Sequence, residues 1–207
     1  MPSQVNPANV IIRKAMPEDS NDIVPLIHSS GPIAWNFVFQ EGNRTAFDFL
    51  QSAYRKRGNT ISYTNHFVAE KEGNVVGSIL QYTHPSFLAL TVGTAFQILL
   101  LYKWNAAKVM ARGLKTETII QPPKPNCLYL GHIAVLETHR NQGIAKHLIE
   151  FMIQRNPGYK TIALDVSIEN PSAIALYQKL GFVIKETRDP ICWEGKIPSH
   201  HYMEREM

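Results

Sequence analysis

His139-Arg140-Asn141-Gln142-Gly143-Ile144-Ala145-Lys146-His147 is the stretch on which the reading of this chain turns. It follows Leu128–Val135, an apolar run that reads as a buried strand. It leads into apolar residues at Ile144, Ala145, Leu148, Ile149, Met152 and Ile153, the spacing of one face of an amphipathic helix. A strand therefore ends, a polar loop turns, and a helix starts whose first amides have no partner within it. Those amides sit at the positive end of the helix dipole and form an anion site. Gly143 removes the side chain that would hold a phosphate off the backbone, and Ala145 nearly does the same two residues on.

Downstream, Asn156-Pro157-Gly158 ends the helix and 159–167 reads as a further strand. Asn170-Pro171 then opens a second helix, with Asn at the cap and Pro in the first turn. Its residues Ala173, Leu176, Tyr177 and Leu180 share one face, and Gly181 closes it ahead of Phe182. Segments 182–187 and 201–206 are predicted to pair as the last strands.

Upstream, 10–15 reads as a first strand, and 17–22 as a helix start that leads into Ile23, Val24, Leu26 and Ile27. An aromatic segment, Ile33–Phe39, precedes a helix predicted from Thr45 to about Arg55, with Phe47, Leu50 and Tyr54 on its inner side. Segments 66–70 and 75–82 form a hairpin through Glu72-Gly73-Asn74. Residues 84–126 interrupt the pattern. Their apolar run, Phe87–Tyr102, is broken by Thr91, Thr94 and Gln97 and falls short of the roughly 20 residues a spanning helix needs. It is expected to be a helical excursion packed on the domain, not a membrane span.

The chain has 207 residues, 44% of them hydrophobic, enough for one domain, read as 8–207 with the 84–126 insertion and a disordered tail at 1–7. Its formal charge of +4 suits an anionic small ligand, and its scattered cations do not argue for nucleic acid. Cys127 and Cys192 lie far apart without metal or redox spacing, and no signal pattern opens the chain, so a cytoplasmic location with free thiols is expected. His200-His201 has no third ligand at suitable spacing, so no metal is expected.

Taken together, the order strand, Arg140-Asn-Gln-Gly-Ile-Ala145, helix, strand, and Asn170-Pro-Ser-Ala-Ile-Ala-Leu-Tyr-Gln-Lys-Leu-Gly-Phe182 resembles the GNAT superfamily of acyl-CoA N-acyltransferases. The family loop, Gln/Arg-x-x-Gly-x-Gly/Ala, is filled here by Arg140, Gly143 and Ala145. The specific similarity covers roughly 128–187. The resemblance implies a mixed α/β (α+β), mostly antiparallel sheet, splayed between its fourth and fifth strands and flanked by helices. The insertion before the fourth strand departs from the minimal family pattern.

The resemblance further implies that acetyl-CoA is the acyl donor. Its pyrophosphate would lie on the amides of Asn141, Gln142, Gly143, Ile144 and Ala145, with Arg140 also cofactor-binding, and its pantetheine arm along Ile133, Ala134 and Val135. The Val135 amide would polarise the thioester carbonyl. Tyr177 takes the general-acid position and Asn170 an additional cofactor contact, although Asn170 is fully explained as a helix cap. The base is left open between His132, Asp165 and ordered water. The acceptor, a small-molecule or peptide amine, is expected against Trp35 and Phe37, aromatics that would serve a core equally well. The function this implies is acetyl transfer by direct attack in a ternary complex, with a homodimer compatible. The alternatives are a non-catalytic acyl-CoA-binding module whose insertion docks a protein, and a membrane-surface protein anchored by 86–112.

Overall fold

The computed structural model describes residues 9–192 and 196–207, so the expected tail at 1–7 lies outside the described residues. Strands β1 (Val10–Lys14), β2 (His66–Lys71), β3 (Asn74–Tyr82), β4 (Cys127–Val135), β5 (Thr161–Ser167), β6 (Val183–Arg188) and β9 (His200–Glu206) form one sheet in the order β1-β2-β3-β4-β5-β9-β6. A small hairpin, β7 (Ile191–Cys192) and β8 (Lys196–Ile197), stands apart from it. Every neighbouring pair in the main sheet is antiparallel except β4 and β5, which run parallel.

The helices are α1 (Ser20–Ser29), α2 (Pro32–Phe39), α3 (Ala46–Tyr54), α4 (His84–Tyr102), α5 (Ala106–Thr116), α6 (Ile144–Arg155) and α7 (Pro171–Lys179). Period-2 alternation along the strands divides the core between the two faces of the sheet. Leu128, Leu130, Ile162 and Leu164 pack beneath α6 and α7 with Ile144, Leu148, Met152 and Tyr177. Cys127, Tyr129 and Ala163, one residue out of phase, face the other way with Tyr82 and Tyr202. On that second side, α1, α2 and α3 bury Ile23, Ile27, Phe39, Phe49 and Tyr54.

Two local features follow directly from residue type. The β2–β3 hairpin turns on Glu72 and Gly73, both with positive φ (53° and 80°), which matches the twist of the paired strands. Helix α3 is capped by Thr45, whose hydroxyl accepts from the Asp48 amide while the Asp48 carboxylate accepts from the Thr45 amide. The expected inner face of α3 needs correction at one residue. Ala46, Phe49, Leu50, Ala53 and Tyr54 point inward, whereas Phe47 is exposed and stacks on His28 at 4.3 Å. Phe47 sits one residue, about 100° of helix, away from the buried row.

The insertion is helical, as expected: α4 and α5 pack against the side of the domain built from α2 and α3. Ile98 and Tyr102 of α4 enter the core there, and the Tyr102 hydroxyl donates to the Phe39 carbonyl. Arg112 of α5 donates to the Gln40 carbonyl at 3.1 Å and to the Glu41 carboxylate at 3.0 Å. The insertion therefore braces α2 from outside.

Candidate active site

Strands β4 and β5 are paired only at their starts, where Cys127, Leu128 and Tyr129 face Thr161, Ile162 and Ala163. Beyond Tyr129 the two strands part. The divergence coincides with a bulge on β4: Ser78 pairs with Ala134 and Leu80 with Gly131, so His132 and Ile133 stand opposite a single residue of β3. His132 sits at φ 47°, the left-handed region, and its carbonyl accepts from the Ser78 hydroxyl at 3.0 Å. After the bulge, the Leu136 amide donates to the Val76 carbonyl at 2.9 Å. The Val135 amide, one residue earlier, is therefore turned away from β3 toward the open edge of the splay.

At the end of β4 the chain enters the Arg140–Ala145 loop. Asn141 and Gly143 both adopt positive φ (63° and 78°), and Gly143 is the N-cap of α6. A Cβ on Gly143 would meet nothing within 4 Å, so backbone conformation and open space both favour glycine there. Among the described residues, no acceptor takes the N–H groups of Asn141 to Lys146. Ile144 is buried beneath the helix, so what it offers to the loop is its amide. Arg140 is exposed, with its guanidinium within reach of the Val135 carbonyl (3.4 Å) and the Glu137 carboxylate (3.2 Å). Lys71, at the end of β2, donates to the Gln142 side chain at 3.2 Å and adds a second cation. The cradle of free amides, the left-handed glycine and the two cations fit a pyrophosphate.

Two sequence candidates come together around the splay from opposite sides. Tyr177 is buried on α7 in the cluster that also takes in Ile133, Val135 and Ile144. Its hydroxyl has no partner among the described residues, yet is not sealed from solvent. Burial pushes its phenol above the usual tyrosine range. His132 is half-buried on the other side, edge-on to Trp35 with ring centroids 5.1 Å apart.

The protonation state of His132 follows from its neighbours. His66 Nδ1 lies 2.9 Å from the Ser62 carbonyl, which can only accept, so Nδ1 carries the hydrogen. The Nε2 of neutral His66 is then bare, and it lies 3.0 Å from His132 Nδ1, which must donate to it. The Nε2 of neutral His132 is left with a lone pair, and no described residue binds it. Desolvation pushes His66 down to about 4. Desolvation, then the neighbouring His66, pushes His132 well below the usual histidine range, so both rings are neutral at pH 7.

Other candidates are placed elsewhere. Asp165 is buried, with one carboxylate oxygen accepting from the Tyr129 hydroxyl at 3.0 Å and the other from Arg188 at 2.8 Å. Burial pushes its carboxyl up to about 7 against the pull of the Arg188 guanidinium. With both oxygens engaged, Asp165 anchors a buried pair with Arg188. Phe37 packs toward Ile119, Ile191 and Ile197, a cluster beneath the β7–β8 hairpin, and Trp35 is the α2 candidate beside His132. Asn170 caps α7 by accepting from the Ala173 amide at 3.1 Å. A polar cavity of about 490 Å³ lies between the end of α5 and the turn after β6, lined by Lys115, Thr118, Arg188 and Asp189, and is separate from the loop cradle. Sequence reasoning missed His66, Lys71 and Ser78. Strand register and the bulge bring these residues to the site, and no local motif marks them.

The model of the acetyltransferase (GNAT) family matches residues 35–182. Human N-acetyltransferase 8B is 47% identical over 57 residues, which span 27% of this chain and 25% of that protein. N-alpha-acetyltransferase 30 of Saccharomyces cerevisiae is 39% identical over 57 residues, 27% of this chain and 32% of that one. The match thus spans about a quarter to a third of these curated relatives. Among solved structures, an N-acetyltransferase from Staphylococcus aureus Mu50 aligns with a TM-score of 0.66 at 21% identity, covering 94% of this chain and 99% of that one. An acetyltransferase from Salmonella typhimurium, solved with its cofactor acetyl-CoA, aligns with a TM-score of 0.56 at 17% identity, covering 96% and 94%. These structures share the fold. With a family model spanning most of its length and the splayed sheet and loop described above, this chain belongs to the GNAT acetyltransferase family.

Proposed function

We propose that the protein is an acyl-CoA-dependent N-acyltransferase that moves an acetyl group from acetyl-CoA to a primary amine by direct attack. The observation that carries this reading is the β4–β5 splay. The Val135 amide faces it, the free amides of Asn141 to Lys146 lie at one end, and the unpaired His132 Nε2 lies on the far side. Acetyl-CoA, when bound, supplies the activated acyl thioester. The amides after Arg140, with Arg140 and Lys71, would hold the pyrophosphate, and the open edge of Ile133–Val135 would pair with the pantetheine arm.

Each remaining role falls to a residue of this chain. The Val135 amide is a preorganised donor for the oxygen that gains charge as the C–N bond forms. His132 Nε2 accepts the proton that the attacking nitrogen loses. The neutral ring is in the form that can take that proton, which is far more acidic once the bond is forming than on a free ammonium. His66 fixes the His132 tautomer and accepts a hydrogen bond from Nδ1 as charge develops, so it is a positioning residue. Tyr177, its phenol raised by burial, keeps its proton and serves as a hydrogen-bond donor to the departing sulfur. Trp35 supplies an aromatic wall on the amine side. The free thiols of Cys127 and Cys192 suit a reducing, cytoplasmic setting, which is part of the proposal.

The test is thiol release from acetyl-CoA across a panel of primary amines. Amine-dependent release supports the reading. Tight acetyl-CoA binding without release on any amine favours the alternative, a non-catalytic acyl-CoA-binding module.

A further inference from the structure

Helix α4 is apolar on both sides, although several polar and small residues face the domain. Thr94 Oγ1 accepts from the Thr60 amide at 2.9 Å, and Gln97 accepts from Lys56 Nζ at 2.9 Å. Gly93 lies so close to the 58–59 backbone that a Cβ there would be 1.7 Å from the Gly58 oxygen. The opposite face is apolar and open: Leu88, Val92 (72% exposed), Phe96 (56%), Leu99 and Leu100. Leu88, Val92, Phe96 and Leu99 follow the i, i+4, i+8, i+11 spacing of a single row, about 17 Å long. Lys103 and Trp104 (97% exposed) end that row. A soluble helix solvates its polar side; here the inner side mixes Ile98 and Tyr102 with the anchored Thr94 and Gln97, and a second apolar row is left on the solvent side.

Charge says what covers this face. No Asp or Glu occurs between Gly73 and Thr116, whereas Lys103, Lys108, Arg112 and Lys115 fall in that span. Of these, Lys108 and Arg112 share Glu41. Lys56 and Arg57 sit in the loop on which α4 rests, and Lys103 ends its row. A second copy docking by two-fold symmetry would set these cations against themselves. An anionic bilayer surface would meet both the apolar row and its basic rim, with Trp104 at the headgroup level. We propose that the outer face of α4 is a monotopic docking surface for membranes carrying anionic phospholipids, with the helix lying in the interface plane. The segment has the length and apolarity to cross a bilayer, but Ile98 and Tyr102 are fixed in the domain core, which keeps it in the interface plane. The proposal is independent of the catalytic reading.

Flotation of the full chain with vesicles tests it. The protein is expected to float with phosphatidylcholine–phosphatidylserine vesicles and to be released by high salt. Val92→Glu/Phe96→Glu is expected to lower the bound fraction at least about tenfold while the variant keeps a cooperative thermal unfolding transition, which reports an intact fold. Lys103→Glu is expected to weaken binding to phosphatidylcholine–phosphatidylserine vesicles and to leave any binding to pure phosphatidylcholine vesicles unchanged. Trp104 emission is expected to shift to the blue on binding, a change absent in Trp104→Phe. Three outcomes would overturn the proposal. One is a wild-type protein that does not float with the phosphatidylcholine–phosphatidylserine vesicles. Another is a solution dimer that Val92→Glu/Phe96→Glu converts to monomer. The third is a membrane-bound protein that resists extraction at alkaline pH, as a spanning helix would.

Discussion

His66 and His132 illustrate how one carbonyl can set the chemistry of a site. The Ser62 oxygen fixes the hydrogen on His66 Nδ1, and that choice propagates through the 3.0 Å contact to leave a lone pair on His132 Nε2. His66→Leu removes the acceptor and frees His132 to adopt the other tautomer. The expected outcome is a fall in kcat of about 10- to 100-fold with little change in acetyl-CoA affinity. His66→Gln, which can accept from His132 and donate to Ser62, should restore most of it. Steady-state kinetics across pH check this, since a purely structural loss would not be rescued with an altered acidic limb. At Tyr177, a phenol that keeps its proton contributes a hydrogen bond and not full acid catalysis. Tyr177→Phe should therefore lower kcat about 10- to 100-fold and leave the acetyl-CoA dissociation constant within about threefold, measured by turnover and calorimetry side by side.

At the scale of elements, local patterns carried much of the architecture. Leu128–Val135, Gly143 and the row Ile144, Leu148, Ile149 and Met152 are contiguous in sequence, and β4, its loop and α6 form where those residues indicate. Asn170-Pro171 and Gly181 likewise bound α7. The sequence could not display contacts made across the sheet. His66 reaches His132 because β2 and β4 flank β3, and Lys71 reaches Gln142 because the hairpin ends beside the loop. Asp165 is a candidate by its spacing from Asn170, and the residue that engages it, Arg188, reaches it from β6 on the far side of β9, 23 residues away in sequence. Phe37 looked equivalent to Trp35; both pack on one core cluster, but Phe37 also reaches the cluster under β7–β8 while Trp35 meets His132. The polar interruptions of α4, Thr94 and Gln97, proved to be its anchoring side. Gly93 shares that side, and Gly93→Ala should force α4 away from the Gly58 backbone. The expected cost is about 1–3 kcal/mol, seen as a drop of roughly 3–10 °C in Tm by thermal denaturation.

For the whole molecule, the insertion, the acceptor side and the histidine pair form one structure: α5 braces α2, α2 carries Trp35, and Trp35 meets His132. Buried neutral histidines also couple folding to pH. The unfolded chain takes up protons below pH about 6.5, whereas folded His66 resists until about 4, so the pair withdraws stability as pH falls through that window. Asp165, raised to about 7, has the opposite sign over part of the same range, so the informative quantity is a difference between variants. The Tm deficit of His66→Gln relative to wild type should shrink as pH is lowered from about 7 to about 5, because the variant no longer carries the reluctant ring.

The central claim is that the backbone after β4 holds an acyl-CoA, and titration calorimetry of acetyl-CoA into wild type and Gly143→Glu tests it most directly. The open space around Gly143 leaves the fold able to accept the side chain at the cost of a strained φ of 78°, while a carboxylate is placed among the amides that would face a pyrophosphate. The predicted result is measurable binding to wild type and a dissociation constant raised at least about tenfold in a variant that still unfolds cooperatively. Equal acetyl-CoA affinity in the folded variant would contradict the account.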